Sequence, residues 1–123
     1  MKKCYIDIVK KWSFVFAYDI AEEDVAEVGE WLSALGCGRR EIAHAQRVLL
    51  GVNKGLTYSS PDLRMSVVCI GRSGSIEQWW DTLGHELRHL VNTICHYYDV
   101  PYSSEDASYL QGYVMRRIIR FVM

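Results

Sequence analysis

Ser75-Ile76-Glu77-Gln78-Trp79-Trp80-Asp81-Thr82-Leu83-Gly84-His85-Glu86-Leu87-Arg88-His89-Leu90 is the stretch on which the fold turns. Each residue of an α-helix advances about 100°. With His85 at zero on a helical wheel, Trp79, Trp80, Leu83, Leu87, Leu90, Val91 and Ile94 gather on the far side. Gln78, His85, His89, Asn92 and His96 gather near zero. One face is suited to a core and the other to a cleft. Ser75 and Gln78 stand at capping-box spacing, so the serine can accept from a free first-turn N–H while the glutamine reaches back. The pattern predicts a helix to about Tyr97, broken by Asp99-Val100-Pro101.

Within it, His85-Glu86-Leu87-Arg88-His89 matches H-E-x-x-H. Residues i and i+4 lie about 40° apart and one turn up. Two imidazoles so placed can converge on one tetrahedral cation at about 2.0–2.1 Å. Glu86 projects beside such a cation, where it can take a proton from a water that the cation has acidified. The expectation is therefore a Zn²⁺ cofactor held by His85 and His89, with Glu86 as the catalytic base. The bland alternative is a solvated helix face with incidental histidines. The mid-helix position and the amphipathic phase of the motif weigh against it. His96 falls on the same face but about 10 Å farther along the axis than His89, so it reads as an outlying histidine.

A zinc site wants a third protein ligand. No histidine follows His96, and His44 lies upstream on what reads as an ordinary amphipathic helix. Glu105 and Asp106 open the last predicted helix, and the turn around Pro101 lets that helix fold back on the motif helix as a hairpin. Glu105 is preferred over Asp106. It shares a face with Tyr109, Gly112 and Arg116, opposite Leu110, Val114, Ile118 and Phe121, and Gly112 is expected to allow close helix approach. The alternative for both acids is a first turn that complements the helix dipole.

Outward from the motif, Tyr5 to Val9 and Trp12 to Tyr18 are rich in β-branched and aromatic residues and predict strands. Ala21 to Leu35 predicts a helix ended by Gly36-Cys37-Gly38, and Arg39 to Leu50 a second helix stopped at Gly51. Leu56 to Ser60 and Leu63 to Ile70 predict a hairpin turning at Ser60-Pro61-Asp62. Ser103 or Ser104 caps a last helix to about Phe121. The fold class is α+β: one domain over residues 1–123, with a small antiparallel or mixed sheet packed on about four helices.

The run Trp80 to Leu90 resembles the active-site helix of zincin-type zinc metallopeptidases, especially the glutamate-liganded branch. Ser104-Glu105-Asp106-Ala107-Ser108-Tyr109-Leu110-Gln111-Gly112-Tyr113 resembles the third-ligand helix of small metallopeptidases of bacteria and phages. The resemblance implies His85, His89 and Glu105 as metal ligands, Glu86 as general base, and a peptide or protein as substrate. It also implies an edge strand above the cleft that pairs with an extended peptide, here expected from Leu63 to Ile70. Tyr58, Tyr102, Tyr109 and Tyr113 are open candidates to donate to a developing oxyanion.

The formal net charge is −1, so no basic field argues for nucleic acid or an anionic membrane surface. Arg116, Arg117 and Arg120 read as a favourable end for the last helix. Cys4, Cys37, Cys69 and Cys95 show no C-x-x-C spacing and read as reduced, buried thiols. Asp7 interrupts any signal-like apolar start, and no run is long enough to span a bilayer, so a cytoplasmic location is expected. Three functions compete: a zinc hydrolase of a peptide or amide bond, a zincin-fold binding or regulatory module without turnover, and a metal-free α+β interaction protein built on the four tryptophans and eight tyrosines.

Overall fold

The computed structural model describes residues 1–8 and 11–123. Its strands are β1 (Lys2–Ile8), β2 (Trp12–Tyr18), β3 (Gly55–Ser60) and β4 (Met65–Ile70). Its helices are α1 (Val25–Ala34), α2 (Arg39–Leu49), α3 (Ile76–Tyr97) and α4 (Glu105–Val122). This is an α+β domain. The first strand starts earlier than its composition suggests, and the predicted end at Val9 lies outside the described residues. The helix predicted from Ala21 opens as a 3₁₀ turn over Glu22–Asp24, because the Asp24 carboxylate accepts from the Ala21 N–H at 2.8 Å and closes the chain into a tighter turn.

The sheet is mixed, in the order β1-β2-β4-β3. β1 runs antiparallel to β2, and β3 antiparallel to β4, while β2 and β4 pair in parallel with Val15 beside Val67. This order corrects the expectation that the Leu63–Ile70 segment is the edge strand. β4 is buried between β2 and β3, and β3 takes the edge. The run Val67-Val68-Cys69-Ile70 is apolar without alternation, as a strand covered on both faces requires.

Alternate residues serve two cores. Trp12, Phe14, Phe16, Val68 and Ile70 face α3 and α4, meeting Leu83, Leu87, Leu90, Ile94, Val114 and Ile118. Ala17, Val67 and Cys69 face the other way, onto Val28, Leu32, Ala45 and Leu49 of α1 and α2. Helices thus cover both faces of the sheet. The buried Trp12 indole donates to Ser66 Oγ at 3.0 Å, and Ser66 Oγ lies 2.7 Å from Ser59 Oγ, so the polar atoms in this layer are partnered.

Ser75 caps α3 by accepting from the Gln78 N–H at 3.1 Å, and Ser104 caps α4 by accepting from the Ala107 N–H at 3.2 Å. At the far end of α4, Arg117 donates to the Asp7 carbonyl at 3.1 Å and to Tyr113 Oη at 2.9 Å, tying the helix to β1. Of the cysteines expected to be buried, Cys69 and Cys95 are, whereas Cys4 and Cys37 are half-buried. Among the described residues no helix is long and apolar enough to cross a membrane.

Candidate functional site

α3 places its two histidines as the helical period requires. His85 and His89 lie on the exposed face one turn apart, and their Nε2 atoms approach to 3.2 Å, with the rings at 84° to each other. Two nitrogens bound to one tetrahedral zinc at about 2.05 Å stand roughly 3.3 Å apart. The pair therefore already has the bite of a two-nitrogen chelate.

Glu86 lies a step round the helix, turned inward against β3 and only 6% exposed. An ionised carboxylate so far out of water needs hydrogen bonds to be tolerated. The Thr57 hydroxyl lies 2.7 Å from Glu86 Oε1 and 3.0 Å from the Glu86 main-chain carbonyl. Having one proton, it donates to one of these at a time. Two residues earlier on the same face of β3 stands Gly55. A Cβ there would lie 2.7 Å from Glu86 Cγ and 2.9 Å from Glu86 Oε2. The glycine is what lets the strand pass so close to the carboxylate. Sequence reading singled out neither Gly55 nor Thr57. The available signal was a glycine opening a β-prone run, with a threonine at period-two spacing on its face.

Together these residues line a cleft of about 490 Å³, with Gly55 to Ser59 of β3 on one side and His85, Glu86, His89 and Thr93 on the other. Thr93 is anchored by donating to the His89 carbonyl at 3.0 Å. The buried Cys69 is close enough to feel the Glu86 charge: its thiol is pushed up to about 12, by burial first and by Glu86 second.

The expected third ligand is not brought to the pair. Among the described residues no group of three His, Cys, Asp or Glu stands ready to hold a metal ion. The reason lies in how α4 docks. Val114 and Ile118 turn into the core, and Ala107 packs on Val91 and Cys95, which lie on the flank of α3 away from β3. Glu105 shares its stripe with Tyr109, 71% exposed, and with Gly112 and Arg116, all turned outward. The helical wheel had the stripe right, but it is exposed, and its Tyr109 and Arg116 border a groove with Ile94, Cys95 and Tyr98 rather than the histidine pair. Gly112 likewise meets nothing: a Cβ there would have open space around it, so it is not a point of close helix approach.

The other candidates are scattered. Asp106, Tyr109 and Tyr113 line a separate groove between α3 and α4, of about 570 Å³. Tyr102 is exposed in the turn before α4, and His96 in the last turn of α3. His44 lines a third cavity, between α2 and β3. Tyr58 borders the histidine cleft but packs with the α1–α2 core, its phenol pushed up by burial and then by Cys37 and Glu41. Residues His85, His89 and Glu86 are thus gathered on one cleft, with Thr57 and Gly55 framing the acid. Compared with family models, curated proteins and solved structures, the chain matches none.

Proposed function

We propose that this chain is a zinc-dependent hydrolase of peptide or amide bonds, in which His85 and His89 hold the cation and Glu86 is the general base. The observation that carries the reading is the 3.2 Å approach of the two Nε2 atoms beside a carboxylate held by a hydroxyl in the same cleft. Zinc, when bound, supplies Lewis acidity: it polarises a carbonyl and acidifies water. Glu86 takes the proton of the attacking water and then hands it to the leaving nitrogen. Thr57 fixes the rotamer of Glu86, and Gly55 keeps the space it occupies. The free edge of β3 offers N–H and C=O groups to an extended peptide, which would lie along the cleft. Glu105 is the carboxylate proposed to close the ligand set, which requires the first turn of α4 to shift round α3 towards the pair.

The test is elemental analysis and zinc titration of untagged protein, with cleavage of a mixed peptide pool read by mass spectrometry. About one zinc per chain is expected, lost in His85→Ala and His89→Ala. Glu86→Gln should keep the zinc and remove cleavage; cleavage that persists in this variant ends the base assignment. Glu105→Ala weakens zinc by tenfold or more if the acid is a ligand, and an unchanged affinity removes it.

A second reading has its own support. With two imidazole nitrogens and no third ligand gathered among the described residues, the domain also fits a zincin-like binding module without turnover. That reading expects peptide binding along β3 with no product under any metal.

A further inference from the structure

β3 is an edge strand with a helix against each of its faces, α3 on one side and α2 on the other. Its side chains alternate accordingly. Gly55 and Thr57 turn to Glu86 on α3, whereas Leu56 and Tyr58 join the core of α1 and α2. A second cavity of about 520 Å³ opens on the α2 side, and it shares Gly55, Leu56 and Tyr58 with the histidine cleft. The two hollows are therefore neighbours across one strand edge.

A peptide that extends the sheet along β3 inherits the same alternation, its successive side chains pointing to opposite faces. One residue faces His85 and His89, and the next must point to α2. There the wall is apolar, made by Leu32, Ala45, Val48 and Leu56. Arg40 and Glu41, both exposed, also line the cavity and bring opposite charges, so the lining carries no net charge that favours an acidic or a basic side chain over an apolar one. His44, exposed on α2, also lines it.

We propose that the cavity between α2 and β3 is a side-chain subsite that selects a large apolar residue, next in sequence to the residue facing His85 and His89. The subsite rests on the reading that an extended peptide lies along β3. It narrows the substrate class to peptides with a Leu, Met or Phe at that position.

The probes are fluorescein-labelled octapeptides of Ser and Thr, with one central residue set to Leu, Phe, Asp or Lys. Binding is followed by anisotropy with zinc-loaded wild-type protein and with Glu86→Gln. Burying a Leu or Phe side chain predicts at least about tenfold tighter binding than Asp or Lys. Amide shifts of the Leu complex should fall on residues 55–60 and 39–49. His44→Trp, an exposed helix position, fills the mouth and should cut the preference below about twofold, with the far-UV spectrum unchanged. Equal binding of all four peptides to the wild type overturns the subsite, whether or not the variant folds. So does a preference that survives His44→Trp, or a shift pattern elsewhere. Apolar-selective binding without product from any peptide keeps the subsite and removes the hydrolase, and cleavage without selection does the reverse.

Discussion

At the scale of single residues, one hydroxyl proton at Thr57 serves two oxygens of Glu86. Thr57→Val keeps the shape and removes the donor, so a nearly buried carboxylate loses the hydrogen bond from this hydroxyl. Urea melts should register a loss of about 1–3 kcal/mol, and any turnover should fall about tenfold or more as the base loses its orientation. A melt identical to wild type sinks the positioning role. Gly55→Ala is the steric counterpart: its methyl meets Glu86 Cγ at 2.7 Å, and overpacking of this kind destabilises by about 1–3 kcal/mol. Cys69 sets a pH dependence. Its thiol ionises near the ordinary 9.0 when unfolded and not until about 12 when folded. The folded value is raised, so its contribution is intact below pH 9 and drains away as pH climbs from 9 to 12. Cys69→Ala should flatten the stability curve in that window, and an unaltered slope would count against the assignment. Of these residues the sequence exposes only Glu86, because a motif is local. The contacts of Thr57 and Gly55 with it bridge 29 and 31 positions, and no period in the chain announces them.

At the scale of elements, α3 and α4 were both legible as amphipathic helices, with Ser75 as the cap of the first and Ser103 or Ser104 as that of the second, where the structure has Ser104. The direction of the α4 stripe was legible too; what the stripe faces was not. A wheel ranks faces by polarity, and a polar stripe that holds a carboxylate is equally suited to a metal or to water. Gly112 separates the two views. Since a Cβ there meets open space, Gly112→Ala should stabilise by about 0.5–1 kcal/mol through helix propensity alone. Thermal or urea melts decide it: destabilisation would mean that another helix does approach. The hairpin of Leu56–Ser60 with Leu63–Ile70 was legible, but which of its strands forms the edge was not: the resemblance put Leu63–Ile70 there, and β3 takes that place. The parallel pairing of β4 with β2 skips over α1, α2 and β3, so it cannot be read from turn chemistry between adjacent segments.

At the scale of the whole molecule, one sheet separates two cores. Leu32 lies in the core beneath α1 and α2, and Ile118 in that between the sheet, α3 and α4. Leu32→Ala should cost about 2–5 kcal/mol and Ile118→Val about 0.5–1.5. Sharing no partners, the two should add to within about 0.5 kcal/mol in the double variant, measured in urea; strong coupling would mean that the sheet transmits strain. The class of the fold was legible because strand-like and helical patterns are both local and both present. The layering was not, because it depends on which face of β2 each helix pair covers. The central position of β4 also bears on synthesis. During translation the β1–β2 hairpin leaves the ribosome with Phe14 and Phe16 bare; β4 comes beside them only once residue 70 has been added, and the covering α3 and α4 later still. Weak, cool induction should therefore raise the yield of correctly assembled protein, since fewer sticky half-made chains are then present at once to meet one another.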